Sequence, residues 1–148
     1  MIGLLQRVSA AQVVVHGEVI AAINRGILVL VGVERGDCKA QADRLLERLL
    51  GYRVFGDAED KMNLCVRDIA GGVLLVPQFT LAADTRKGNR PSFIKAAAPK
   101  LAKPLYERFC AELESLGVAV QTGVFAAEMA VGLTNDGPVT IWFDTADR

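Results

Sequence analysis

A chain of 148 residues with 51% hydrophobic and 23% charged residues is long enough to bury about 70% of its extended surface, which fits one domain spanning residues 1–148 and excludes a disordered tail. Lysine plus arginine balance aspartate plus glutamate at 17 each, which excludes a protein that coats nucleic acid indiscriminately. The longest apolar run, Gly26 to Val33, is far too short to cross a membrane. No basic segment followed by an apolar one opens the chain, so a cytoplasmic location is expected.

In chain order, Ile2 to Val15 is valine-rich with partial alternation, His16-Gly17-Glu18 turns, and Val19 to Ile23 continues as the second strand of a hairpin. Ile27 to Val33 reads as a fully buried strand. Asp37 is positioned to cap a helix whose apolar stripe is Ala42, Leu45, Leu46, Leu49 and Leu50, ended by Gly51. Tyr52 to Phe55 is a short strand, Lys61 to Asp68 is ambiguous, and Gly71-Gly72 opens a strand at Val73 to Val76. A second helix runs from about Lys100 to Leu116, with Leu101, Leu105, Phe109 and Leu113 on one stripe. Pro104 fits it only in the first turn, where a missing donor costs little. Val118 to Thr122, Met129 to Asn135 and Val139 to Phe143 complete the strands. Strands outnumber helices and tight turns join several neighbours, so the expected fold is α+β with mainly antiparallel sheets and two principal helices.

The chemistry open to these residues is narrow. Cys38, Cys65 and Cys110 are odd in number and widely spaced, which gives neither a zinc pattern nor a disulfide framework. One histidine, His16, falls in the hairpin turn, so a histidine metal site is excluded. No Gly-x-Ser-x-Gly elbow, P-loop or dinucleotide fingerprint occurs, and no cofactor is expected. Gln78-Phe79-Thr80 follows the buried strand and offers backbone N–H donors and a hydroxyl. Such a segment suits an oxyanion site, but strand ends often carry such residues, and on this segment alone a structural role is the better reading. Between Asp84 and Lys103 stand Arg86, Lys87, Arg90, Lys95, Lys100 and Lys103 against the single acid Asp84. Two readings stand: a solvated polar loop, or a patch for phosphates.

Three segments carry a specific likeness. Pro77 through Thr85, Arg90-Pro91-Ser92-Phe93 and Asn135-Asp136-Gly137-Pro138-Val139-Thr140 resemble the D-aminoacyl-tRNA deacylases. Gln6-Arg7-Val8, Leu50-Gly51-Tyr52-Arg53 and Lys61-Met62-Asn63-Leu64 extend the likeness collinearly over nearly the whole chain. The resemblance implies a homodimer with a three-layer sandwich fold, and hydrolysis of the ester joining a D-amino acid or glycine to the 3′ adenosine of tRNA. Glycine mischarged on alanine tRNA is included, and neither DNA nor a membrane is a partner. It further implies that a cis Gly137-Pro138 step enters the partner subunit's site. There its carbonyls face the substrate's α-amino group and reject an L side chain. Arg7 braces that step from behind, with Asn135 supporting it. Gln78, Phe79 and Thr80 hold the reacting ester, Phe125 and Met129 form an adenosine pocket, and Arg86, Lys87, Arg90 and Lys95 meet tRNA phosphates. Core packing is the competing role for Phe125 and Met129. Nothing supplies Thr80 with a base, so water attack helped by the tRNA 2′-hydroxyl is the expected route. Two alternatives are a trans Gly-Pro bond with broader L substrates, and a non-catalytic tRNA-binding or dimerisation module. One departure stands out: Pro77 occupies a position that is usually serine in the family, removing a backbone donor and a hydroxyl there.

Overall fold

A computed structural model of the chain describes residues 1–146. Among these residues, six strands form one mixed sheet in the order β2 (Glu18–Ile23), β1 (Ile2–Val15), β3 (Gly26–Gly32), β6 (Gly72–Pro77), β7 (Ala119–Thr122), with β8 (Ala130–Asp144) also paired to β1. Two short strands, β4 (Phe55–Gly56) and β5 (Met62–Leu64), pair separately. The helices are α1 (Lys39–Gly51) and α2 (Pro99–Ser115). The α+β class follows as expected. Among the described residues no helix is long and apolar enough to cross a membrane.

Strand β1 is antiparallel to β2, β3 and β8, whereas β3–β6 and β6–β7 are parallel. Each helix explains one parallel pair, since a chain that returns in the same direction needs a crossover and a helix supplies it. The apolar runs of β3 and β6 follow from burial on both faces. Ile27, Val29, Val31, Val73 and Leu75 join the helices in the larger core cluster, while Leu28, Leu74 and Val76 pack with Val8, Val13 and Ala21 on the other side.

Five expectations are corrected. Asp37 does not cap α1; its carboxylate accepts from the Met1 ammonium at 2.7 Å and the Glu34 N–H at 2.7 Å. Cys38 takes the N-cap position, and its N–H donates to the Gln41 side chain at 2.9 Å. In α2, Pro99 holds the first position, so Pro104 lies inside the helix rather than in its first turn. The buried stripe is Ala102, Tyr106, Phe109, Cys110 and Leu113, and Leu101 is 67% exposed. The stretches read as two strands around Gly137-Pro138 are one strand, β8, with a bulge inside it. Tyr52 to Phe55 yields only the two-residue β4, because Tyr52 turns inward to pack edge-on against Phe143 at 4.9 Å. The hairpin turn is as expected, with His16 and Gly17 both at positive φ (50° and 76°), the geometry of a two-residue hairpin loop.

Gly26 and Gly72 face each other where β3 and β6 begin. A Cβ on Gly26 would lie 1.9 Å from the Gly72 carbonyl oxygen, a backbone atom that cannot swing aside. Gly26→Ala therefore forces the parallel pair apart and lowers stability by about 2 kcal/mol or more in urea unfolding. Gly51→Ala, at a site with open space around it, is neutral or stabilising by about 0.5 kcal/mol.

Candidate active site

The carboxyl ends of the three parallel strands open a crevice, the place where sheets with parallel strands commonly present a site. After Thr122 the chain leaves β6, and the Gly123 N–H makes a last bond to the Leu75 carbonyl at 2.8 Å. The buried Tyr106 hydroxyl donates to the same carbonyl at 3.1 Å, and its burial raises the phenol's pKa, so it remains a neutral donor. Beyond this split lies a cavity of about 560 Å³, whose walls include Val31, Val76, Pro77, Gln78, Phe79, Tyr106, Phe125 and Met129. Gly123 allows the walls to close in, since a Cβ there would sit 2.7 Å from the Met129 sulfur. The facing wall is a turn closed by the Ala127 N–H to the Val124 carbonyl at 3.2 Å. In it Ala126 holds φ 64°, a conformation disfavoured for a residue with a Cβ.

Gln78, Phe79, Phe125 and Met129 therefore meet in one cavity. Thr80 stands beside it in a single 3₁₀ turn, Phe79–Ala82, which directly follows β6. The Gln78 N–H is consumed by the Val31 carbonyl at 2.8 Å, so Gln78 offers no free backbone donor. The N–H groups of Phe79 and Thr80 head the turn, where helical geometry leaves donors without an internal partner. The Thr80 hydroxyl accepts a hydrogen bond from the Gln78 side-chain amide. Among the described residues no carboxylate or imidazole hydrogen-bonds to that hydroxyl.

Arg7, Asn135, Gly137 and Pro138 form a second cluster, which contributes nothing to the cavity walls. Between the paired residues Gln6↔Thr140 and Val8↔Asn135, β1 has only Arg7 while β8 has four residues. The surplus residues of β8 bulge outward and leave Gly137 and Pro138 exposed, with a cis peptide bond between them. Asn135 closes the bulge from within. Its amide nitrogen donates to the Thr140 hydroxyl at 2.8 Å, and its oxygen accepts the Val139 N–H at 3.1 Å. Arg7 lies behind it, donating to the carbonyls of Asp136 at 3.1 Å and Val54 at 2.6 Å. The brace thus grips the Asp136 carbonyl rather than those of Gly137 and Pro138. Gly137 has φ 123°, and a Cβ there would come within 2.8 Å of the Arg7 guanidinium.

The basic loop is ordered by its own contacts. Asp84 and Ser92 exchange backbone bonds of 2.7 and 3.0 Å. Arg86 closes on Asp84 with Nε at 2.9 Å and Nη2 at 2.5 Å, which holds that carboxyl well below its usual range. Lys87 and Arg90 are exposed at the tip. The Lys95 carbonyl accepts the Arg35 N–H at 2.9 Å, tying the far end of the loop to the residues after β3. Cys110, buried on α2, has its thiol pushed up to about 11 by that burial, which keeps it protonated and inert at neutral pH.

Cavity residues that sequence reasoning missed include Tyr106, Ala97, Ala102 and Val31. For Val31, Ala102 and Tyr106 the only signal was the apolar pattern of the strand and helix that carry them, which reads as core; Ala97 lies in the loop before α2 and carries no signal.

Fold and crevice define an α+β protein of a kind already seen in solved structures. One is described as a probable eukaryotic D-amino acid tRNA deacylase; at a TM-score of 0.80 and 18% identity, over 96% of this chain and 97% of that one, it shares the fold. Another, described as c-Myc DNA Unwinding Element Binding Protein, superposes with a TM-score of 0.92 at 37% identity, over 97% of this chain and 98% of that one. The D-aminoacyl-tRNA deacylase of Janthinobacterium sp. (strain Marseille) is 59% identical over 96% of this chain and 95% of its own. The chain belongs to the D-Tyr-tRNA(Tyr) deacylase family, whose model matches residues 4–144. Its members are hydrolases of aminoacyl-tRNA esters.

Proposed function

We propose that this chain, a single domain over residues 1–148, hydrolyses the ester joining a D-amino acid or glycine to the 3′-terminal adenosine of tRNA, in the cytoplasm and as a homodimer. The observation that carries this reading is the cavity at the parallel strand ends, with the Phe79 and Thr80 amides heading a turn beside it. The adenosine rests between Phe125 and Met129, which brings the ester to the start of the 3₁₀ turn. A water molecule attacks the ester carbonyl, and the oxyanion that forms accepts hydrogen bonds from the Phe79 and Thr80 N–H groups. Collapse breaks the bond to the ribose 3′ oxygen, which takes a proton; the free amino acid and tRNA leave. The adjoining 2′-hydroxyl of the tRNA helps to activate the water. An aminoacyl ester is already labile, so positioning and oxyanion stabilisation suffice, in keeping with a Thr80 hydroxyl that has an amide and no base beside it.

The second cluster supports the dimer. Gly137 and Pro138 project to solvent and take no part in the cavity walls of their own chain. In the homodimer, with its layers stacked as a three-layer sandwich, the bulge of one subunit enters the cavity of the other. Its carbonyls then receive the substrate's α-amino group and block an L side chain. Glycine passes, including glycine mischarged on alanine tRNA. Arg7 and Asn135 keep the bulge rigid enough to act as a wall, since a soft wall would yield to an L side chain. Lys87, Arg90 and Lys95, with Arg86 as the loop's clamp, meet the tRNA backbone. Pro77 leaves this edge of the cavity apolar without altering the wall.

On one tRNA, D-tyrosyl ester is hydrolysed at least about a hundredfold faster than L-tyrosyl ester, the consequence of a clash worth about 3 kcal/mol. Equal loss of both removes the wall from the reading, and loss of neither leaves a binding module. Thr80→Ala, which keeps the backbone amide, retains activity within about tenfold; a fall beyond about 10⁴ with binding unchanged gives the hydroxyl a chemical role. Reversing Lys87 and Arg90 to glutamate weakens tRNA binding and lowers its salt slope by about two. Unchanged affinity in a filter-binding titration removes the phosphate contacts.

A further inference from the structure

An aromatic pair runs from the cavity wall out onto the basic loop. The Phe79 and Phe93 rings meet edge to face, with centroids 5.0 Å apart and planes at 66°. Phe79 lines the cavity and Phe93 does not. Phe79 is 58% exposed and Phe93 36%, and the next residue, Ile94, is 63% exposed. Large apolar groups left open to water side by side invite a partner. The loop that carries Phe93 is held in place: the Ala96 N–H bonds to the Phe93 carbonyl, and the Ala97 N–H to the Val33 carbonyl, both at 3.0 Å. Phe93 therefore stands at a fixed distance from the cavity mouth.

Charge identifies the partner's class. The same loop bears Arg86, Lys87, Arg90 and Lys95 against one acid, Asp84, which Arg86 already engages. Among the described residues, Lys87, Arg90 and Lys95 have no carboxylate within ion-pairing distance. Exposed ring faces beside unpaired cations match the two parts of a single-stranded nucleotide, a flat base and a phosphate. We propose that Phe93, with the outer face of Phe79, forms a stacking subsite for the nucleotide preceding the terminal adenosine of the acceptor strand. This rests on the reading of the cavity as the adenosine site and adds a second base position to it. The subsite is indifferent to sequence, because every base presents a π face. It draws the 3′ end out of the cavity along the basic loop and so fixes the direction from which the strand enters.

The test compares two substrates, D-tyrosyl adenosine and the D-tyrosyl ester of the trinucleotide CCA. For the unaltered protein, kcat/KM rises by about tenfold or more when the two cytidines are added. Phe93→Ala, at an exposed site that leaves the core intact, removes most of that gain, and Phe93→Trp restores it. If Phe93 only props Phe79, Phe93→Ala lowers kcat/KM for both substrates by one factor and leaves their ratio intact, which overturns the proposal. If a second copy of the chain covers the pair, Phe93→Ala changes the oligomeric mass in light scattering and leaves the ratio intact, which also overturns it. Phe125→Ala separates the two readings. An equal fall for both substrates supports the adenosine cavity, whereas no effect on either overturns that cavity reading whatever the Phe93 ratio.

Discussion

The parallel pairing of β3 with β6 is the constraint on which the rest of the structure depends. It aligns Gly26 with Gly72 at one end and Val31 with Pro77 at the other. The close approach at the first end requires glycine at position 26, because any side chain there would strike the Gly72 backbone. At the other end the Gln78 N–H bonds to the Val31 carbonyl, so the pairing also sets where the 3₁₀ turn starts. With both faces buried, each strand is held by side chains above and below, and fully burying one Val or Leu contributes about 1.5–3 kcal/mol. The turn that carries Phe79 and Thr80 is thus attached to a strand buried on both faces.

The split between β6 and β7 then creates the cavity. The two strands pair only as far as Leu75 and Thr122, and the Leu75 carbonyl closes the ladder by accepting from both Gly123 and Tyr106. Past that point one chain turns toward Gln78 and the other toward Phe125, and an apolar space lies between them. A cavity of this kind holds a flat, partly apolar group well and offers few charges to perform chemistry. That is consistent with a reaction whose substrate supplies its own reactivity. The bulge at Gly137-Pro138 solves a different problem, the presentation of exposed backbone at a fixed place. Arg7 and Asn135 satisfy the neighbouring polar groups, and Val139, at the base, is buried in the core.

What was legible in the sequence depended on whether a feature is local. The buried runs of β3 and β6, the hairpin at His16-Gly17 and the end of α1 at Gly51 follow from periodicity and punctuation, and they are in place. Pro104 was misplaced because a proline penalty is small enough for the packing of Tyr106, Phe109 and Leu113 to override. The bulge was read as a break between strands because Gly-Pro is a local breaker, whereas pairing with β1 on both sides carries β8 through it. The Asp37 cap was lost to a partner far away in the chain, the Met1 ammonium.

The same division holds for the site. Residue type and order alone rule out a histidine-rich metal site, show no Gly-x-Ser-x-Gly elbow, P-loop or dinucleotide fingerprint, and place Gln78-Phe79-Thr80 at the end of a buried strand. Those conclusions need only composition and short-range pattern. Tertiary structure decided that β3, β6 and β7 run parallel, and so that a crevice opens at their carboxyl ends. It also decided that Phe125 and Met129 face Phe79, that Phe93 rests against it, and that the Gly137-Pro138 bulge lies apart from the cavity of its own chain. Each of these joins residues distant in sequence through packing that no local propensity encodes.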